Sequence, residues 1–324
     1  MKAVLVKETG GAEQLYLGEV RRPVPGPDEL LVRVAVAALN RADLLQREGK
    51  YPPPAGASPV LGLEFSGSVE EIGSEVIGWS IGEGVFGLVP GGAQAEWVVI
   101  HKKMALRMPA GMSFEECAAI PEVFLTAFQA LVWLGEIKKG EKVLIHAGAS
   151  GVGTAAIQLT GLMDAAAFVS ASAAKHRACL DLGAAAAVDY RAPGFWEMLR
   201  EVTGGADIII DPVAGEYFPE NLKLLNTDGR LVMLAVMGGA RAGSVDVGRI
   251  VFKRLKIMGS TLRSRPLAYQ AALTRAFWEK CEKEFAGGSL KPVIDRVFDW
   301  KEIREAHRYM EANLNIGKVL LKVT

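Results

Sequence analysis

The sequence predicts an α/β fold, on three observations. From Lys142 onward short apolar runs alternate with helical stretches. The first run and the first helix are joined by a glycine-rich turn, and the flanking regions are β-branched runs broken by turn residues. Together these predict a doubly wound parallel sheet inserted between two pieces of an irregular β-rich domain. A chain of 324 residues is long for a single core and suits about two domains. The expected division is residues 1–118 with 265–324 for the β-rich domain and 119–264 for the insert.

In the first region "AVLV", "ELLVRVAVAAL", "FSGSVEEIG" and "AEWVVI" read as short strands between turns. At "SFEECAAIPEVFLTAFQALVWLG" the period becomes helical. Ser113 is placed to cap with Glu116 three residues on, and Pro121 breaks the stretch in two. The insert then reads strand "KVLIH", helix "GVGTAAIQLTGLM", strand "AAFVSAS", helix "KHRACLDLG", strand "AAVD", helix "FWEMLREVTGG", and strands "DIIID", "RLVMLAV" and "KIMGS". Six strands apolar on both faces are expected in a parallel sheet covered on both sides. "LAYQAALTRAFWEKCEKEF" is helical, and "GKVLLKV" is a strand expected to return to the first domain.

The turn "HAGASGVG" carries Gly148, Ser150 and Gly153 at the three positions of the dinucleotide fingerprint. A serine at the second still admits a pyrophosphate, and its hydroxyl is able to donate to it. The helix N-terminus offers free N–H groups and a positive dipole end. Cofactor contacts are therefore expected from Gly148, Ser150, Gly151, Val152 and Gly153, with Gly153 allowing close helix–strand packing. NAD-binding folds place an acid on the ribose about 20 residues past the first glycine. The window "FVSASAAKHR" holds none; it holds Ser170, Ser172, Lys175, His176 and Arg177. Hydroxyls and cations favour NADPH, although Lys175 and Arg177 also read as solvated helix residues.

Lys+Arg and Asp+Glu both number 37, so no basic excess points to nucleic acid or an anionic membrane. The start "MKAVLVKETGG" is charged at Lys2, Lys7 and Glu8 and offers no signal-peptide run, and no stretch approaches a membrane span. Cys117, Cys179 and Cys281 form neither a disulfide framework nor a metal pair and read as inert. A cytoplasmic location is expected.

Five segments, "LNRADLLQREGKYPPP", "IPEVFLTAFQAL", "HAGASGVGTAAIQL", "FKRLKIMGSTLRSR" and "EAHRYMEANLNIGK", resemble the medium-chain dehydrogenase/reductase superfamily over essentially the whole chain. The likeness is to its zinc-free quinone oxidoreductases, and among these to the group induced by a tumour-suppressor protein. It implies a GroES-like β-rich domain plus a Rossmann domain with a six-stranded parallel sheet, an active site in the cleft between them, NADPH as cofactor, and a homodimer or tetramer joined near "KIMGS". Zinc members carry a Cys where this chain has Asn40 and a His where "GLE" places Leu63, and neither residue is able to replace a metal ligand. Without a Lewis acid the hydride acceptor must already be electrophilic, as a quinone is.

The resemblance also assigns residues. Asn40 lies near the nicotinamide, and it equally reads as a helix N-cap. Tyr51 lines the substrate site, or packs on its prolines. Ser172, Lys175 and Tyr190 hold the 2′-phosphate, Tyr190 alternatively being a strand-end aromatic. Thr126, Leu262 and Arg263 approach the cofactor, as do Val213, Ala214, Ala235 and Met237 at carboxyl ends of strands. Asn315 in "NIGK" resembles a cofactor contact or forms a plain turn. His146 reads as a hydrogen-bonded structural residue. The expected activity is NADPH-dependent quinone reduction. Its rivals are enone or alkenal reduction with the same cofactor, and a non-catalytic crystallin-like or RNA-binding role that neutral charge does not favour.

Overall fold

β3 (Glu29–Leu39) organises the first unit. Its run "ELLVRVAVAAL" is buried at eight of eleven positions, which a strand requires when both faces and both edges are covered. Ahead of it β1 (Lys2–Val6) and β2 (Leu15–Glu19) form a separate antiparallel pair. After it come α1 (Arg41–Arg47), β4 (Glu64–Ile72), β5 (Gly84–Leu88), β6 (Trp97–His101) and β7 (Ala105–Arg107). Then follow α2 (Phe114–Ala118) and α3 (Pro121–Phe128), separated at the proline as expected. Ser113 and Glu116 cap α2 reciprocally: the Ser113 hydroxyl accepts the Glu116 N–H at 3.1 Å, and the Glu116 carboxylate accepts the Ser113 N–H at 2.8 Å. The computed structural model describes all residues, 1–324.

The insert alternates throughout. Its elements are β8 (Lys142–His146), α4 (Gly151–Leu162), β9 (Ala166–Ala171), α5 (His176–Asp181), β10 (Ala186–Asp189), α6 (Phe195–Thr203), β11 (Ala206–Asp211), α7 (Tyr217–Leu224), β12 (Leu225–Met233), α8 (Val247–Phe252) and β13 (Lys256–Gly259). The six strands pair in parallel in the order β10-β9-β8-β11-β12-β13. The chain thus starts mid-sheet, winds outward to one edge, and returns to build the other, the doubly wound order with its switch point beside β8.

The chain returns through α9 (Leu267–Ala286), β14 (Ile294–Asp299), α10 (Ile303–Glu311) and β15 (Lys318–Lys322). β15 pairs antiparallel with β3, Val319 facing Leu39, and completes a seven-stranded sheet. The two compact units are residues 1–125 with 263–324, and 126–262. Residues 119–125, which periodicity groups with the insert, belong to the first unit because Phe124 packs on Phe285 and Phe277 of α9. No helix is long and apolar enough to cross a membrane.

Candidate active site and cofactor turn

In the insert the glycine turn has the geometry of a phosphate cradle. Ala147 adopts φ 55°, and the Gly148 N–H donates to the Ser170 carbonyl of β9 at 2.9 Å. A Cβ on Gly148 would lie 2.5 Å from Val169, so this glycine is what lets the turn approach the neighbouring strand. Gly153 differs from expectation: its added Cβ would meet the Ala147 and Gly148 carbonyls at 2.4 and 2.5 Å, so it closes the turn on itself rather than easing helix–strand packing. Ser150 is the N-cap of α4, its hydroxyl accepting the Gly153 N–H at 3.0 Å and its carbonyl the Thr154 N–H at 2.8 Å. Those bonds leave the first two helical amides, Gly151 and Val152, without an acceptor in the chain. Two free N–H groups at the N-terminus of a twelve-residue helix fit a pyrophosphate.

A buried relay stiffens the strand ends beneath this turn. Asp211 accepts the N–H groups of Val213 and Ala214 at 2.7 and 3.0 Å and the Asn221 amide at 2.9 Å. With its nitrogen so used, Asn221 turns its oxygen to His146 Nε2 at 2.8 Å, which leaves His146 Nδ1 to accept from Ser170 at 2.9 Å. Burial lowers the His146 pKa and keeps the ring neutral. His146 is thus a hydrogen-bonded structural group. The buried cysteines are equally quiet: burial pushes the Cys117 thiol up to about 12, Cys179 to about 11 and Cys281 to about 12.

Several expected cofactor residues cluster at the same edge of the sheet. β9 and β10 end together, Asp189 opposite Ala171, which brings Ser172 and Lys175 to the same edge as Tyr190. Tyr190 is 40% exposed with the Arg191 guanidinium 5.3 Å from its ring. Asp189 is a carboxylate at this edge that the sequence window did not include, and it accepts the Arg191 N–H at 3.0 Å. The loops after β11 and β12 are joined by Met237 N–H to Pro212 and Gly238 N–H to Val213, at 3.2 and 2.7 Å, so Val213, Ala214, Ala235 and Met237 share one rim. Thr126 is partly exposed and Leu262 buried at the two ends of this unit.

In the other unit the sequence points to Asn40, Tyr51 and Arg263 but not to the buried charges around Asn40. Asn40 is the N-cap of α1, in a capping box with Asp43, and its side chain is also engaged elsewhere. Its Oδ1 accepts from Lys318 Nζ at 2.6 Å and its Nδ2 donates to Glu64 at 2.8 Å. Lys318 also donates to the Leu39 carbonyl at 2.8 Å and pairs with Glu64 at 2.6 Å, with side chains 3% and 0% exposed. Asp43 completes the helix start, accepting the Asn40 and Gly62 N–H groups at 2.8 and 2.9 Å, and burial pushes its carboxyl up to about 6. Arg263 is held in this unit, to the Pro90 carbonyl at 2.8 Å and Gln46 at 2.7 Å, with its guanidinium 5.5 Å from the Tyr51 ring. Its Nη1 is buried with no partner. Tyr51 is half-buried, and burial raises its phenol pKa. Asn315 closes a local turn, its amide donating to the Gly317 carbonyl at 2.8 Å.

As a donor set these residues do not suit zinc. Leu63 is buried hydrocarbon, both polar ends of Asn40 are engaged, and an ammonium sits against the Glu64 carboxylate.

The family description "Zinc-binding dehydrogenase" matches residues 151–278, and "Alcohol dehydrogenase GroES-like domain" matches residues 26–110. A synaptic vesicle membrane protein VAT-1 homolog of Danio rerio is 30% identical over 337 residues, covering 99% of this chain and 69% of the relative. The crystal structure of an NAD-dependent alcohol dehydrogenase superposes with TM-score 0.87 at 31% identity, over 100% of both chains. A quinone oxidoreductase of Pseudomonas syringae pv. Tomato DC3000 does so with TM-score 0.88 at 27% identity, over 99% of each. Fold and turn together define an oxidoreductase that binds a nicotinamide cofactor. The chain belongs to the medium-chain dehydrogenase/reductase superfamily, with a GroES-like domain and a Rossmann domain.

Proposed function

We propose that this protein is an NADPH-dependent quinone reductase that works without zinc, of the tumour-suppressor-inducible kind, acting in the cytoplasm as a homodimer joined along the outer strand β13. The observation that carries the reading is a buried, unsatisfied donor beside a half-buried tyrosine, in a unit with no metal-ligand set. The Tyr51 hydroxyl makes no hydrogen bond, and beside it Arg263 Nη1 is buried without an acceptor. A buried donor left unpaired costs about 1–3 kcal/mol, which a bound oxygen returns. That donor, with the Tyr51 hydroxyl beside it, suits a quinone oxygen and needs no Lewis acid. Asn40, its amide locked by Lys318 and Glu64, keeps one N–H for the nicotinamide end.

The bound cofactor supplies a hydride from nicotinamide C4. The amides of Gly151 and Val152 hold its pyrophosphate, and Gly148, Ser150 and Gly153 shape the turn around it. Ser172 and Tyr190 donate to the 2′-phosphate, and Lys175 pairs with it as a point charge. Thr126, Val213, Ala214, Ala235, Met237, Leu262 and Asn315 line its path. Support for NADPH is that the stretch closing β9, "SASAAK", holds hydroxyls and a cation and no carboxylate, while Asp189 at the end of the neighbouring β10 accepts the Arg191 N–H. The test is an acceptor screen that follows NADPH absorbance with 1,2-naphthoquinone, an enone and a primary alcohol with NADP. Oxidation by the quinone alone supports the reading; activity confined to the enone or the alcohol refutes it.

A further inference from the structure

Three carboxylates surround the Lys318 ammonium, and one of them has no partner. Asp43 accepts two backbone N–H groups. Glu64 takes Lys318 and Asn40 on one oxygen and, on the other, the backbone N–H of Glu122 at 2.8 Å. Glu122, in the first turn of α3, is partly buried, and its carboxyl makes no hydrogen bond and no ion pair. The nearby cation is already committed to Glu64, Asn40 and Leu39. A carboxylate so placed lacks any bond that would favour its ionised form.

We infer that Glu122 is the proton donor of the reduction, passing its carboxyl proton to the acceptor oxygen that Tyr51 and Arg263 hold. The inference rests on the quinone-reductase reading. The hydride reduces the quinone to the hydroquinone monoanion. The Glu122 O–H bond breaks as an O–H bond forms on that oxygen, and water returns a proton to the carboxylate. Burial, joined by the charges of Glu64 on β4 and Asp43 on α1, pushes the carboxyl up to about 7 against the pull of Lys318 on β15. It therefore holds a proton through a large part of the neutral range and regains it from water. Its charge also reaches Tyr51, where it adds to the raised phenol pKa that Arg263 opposes.

The experiment measures kcat for 1,2-naphthoquinone at saturating NADPH from pH 5.5 to 9, for the full chain and for Glu122→Gln and Glu122→Asp. Infrared spectra of the three proteins follow the protonated-carboxyl band over the same range. The wild type is expected to lose turnover above about pH 7 as that band disappears. Glu122→Gln is expected to lack both the band and the pH limb and to fall roughly tenfold or more in kcat, the low end for a positioned proton donor, with KM for NADPH unchanged. Glu122→Asp keeps a limb at a shifted midpoint. A wild-type limb and rate in Glu122→Gln, or no protonated band at pH 6, overturns the donor role and leaves quinone reduction standing. Failure of the wild type to reduce any quinone while it still binds NADPH overturns the reading, and the donor role with it.

Discussion

Replacing Lys318 by methionine removes the cation from a fully buried ion pair while keeping most of the stem's volume. The side chains of Lys318 and Glu64 are 3% and 0% exposed, and Nζ makes three contacts of 2.6–2.8 Å, to Glu64, Asn40 and Leu39. Stripping one partner leaves Glu64 as an uncompensated buried charge, which costs about 3–5 kcal/mol. Removing both charges, in Glu64→Gln with Lys318→Met, avoids that penalty and is expected to cost only about 1–2 kcal/mol, the worth of the hydrogen bonds lost. The double variant is therefore expected to be roughly 2–3 kcal/mol more stable than Lys318→Met alone. Urea unfolding of the full chain gives the sizes, and hydrogen exchange in β3 and β15 shows where the loss falls. A cost under about 1 kcal/mol for Lys318→Met, or a double variant as unstable as the single one, refutes the argument that the pair is a closed, dry unit.

Tyr51→Phe removes one losable hydrogen bond, about 0.5–1.5 kcal/mol, so kcat/KM for quinones is expected to fall roughly three- to tenfold with NADPH affinity unchanged; full activity on every quinone tested contradicts it. Glu122→Gln should change stability with pH. A carboxyl raised from 4.5 to about 7 on folding holds its proton longer in the folded chain, so its contribution is fully present below about pH 4.5 and is lost as pH climbs through 7. The shift is worth roughly 3 kcal/mol at most and about 2 after allowing for partial exposure, so the variant should gain that much on wild type between pH 4.5 and 8. A pH-independent difference in unfolding free energy contradicts it. Metal analysis of the purified protein is expected to find no stoichiometric zinc, and one zinc per chain contradicts the reading of Asn40 and Leu63.

What local pattern governs was readable from the chain itself. The strand–helix alternation, the Ser113–Glu116 cap, the break at Pro121 and the glycine turn each depend on residues a few positions apart, where periodicity and capping chemistry act. The Lys318 cluster was not readable, because its members at 40, 43, 64, 122 and 318 meet only when β15 pairs with β3 and sets Lys318 beside Leu39 and Asn40. In "GKVLLKV" that lysine looks like a solvated strand end. Asn40 keeps the N-cap place its residue type suggests, but the buried ammonium and carboxylate that hold its amide could not be read from the helix start. Gly153 is needed for a reason the pattern does not show: the turn's own carbonyls, not a neighbouring strand, exclude a side chain there.

The most direct test of the central claim compares kcat/KM for NADPH and NADH with 1,2-naphthoquinone as acceptor, on protein dialysed against a chelator. A charge-assisted contact to the 2′-phosphate contributes about 1.5–3 kcal/mol, some ten- to hundredfold. NADPH should therefore be preferred by at least about tenfold, undiminished by the chelator, and Lys175→Ala should erase most of the preference by weakening NADPH rather than improving NADH. Equal values for the two cofactors, or quinone turnover that dies with metal removal, would contradict the account.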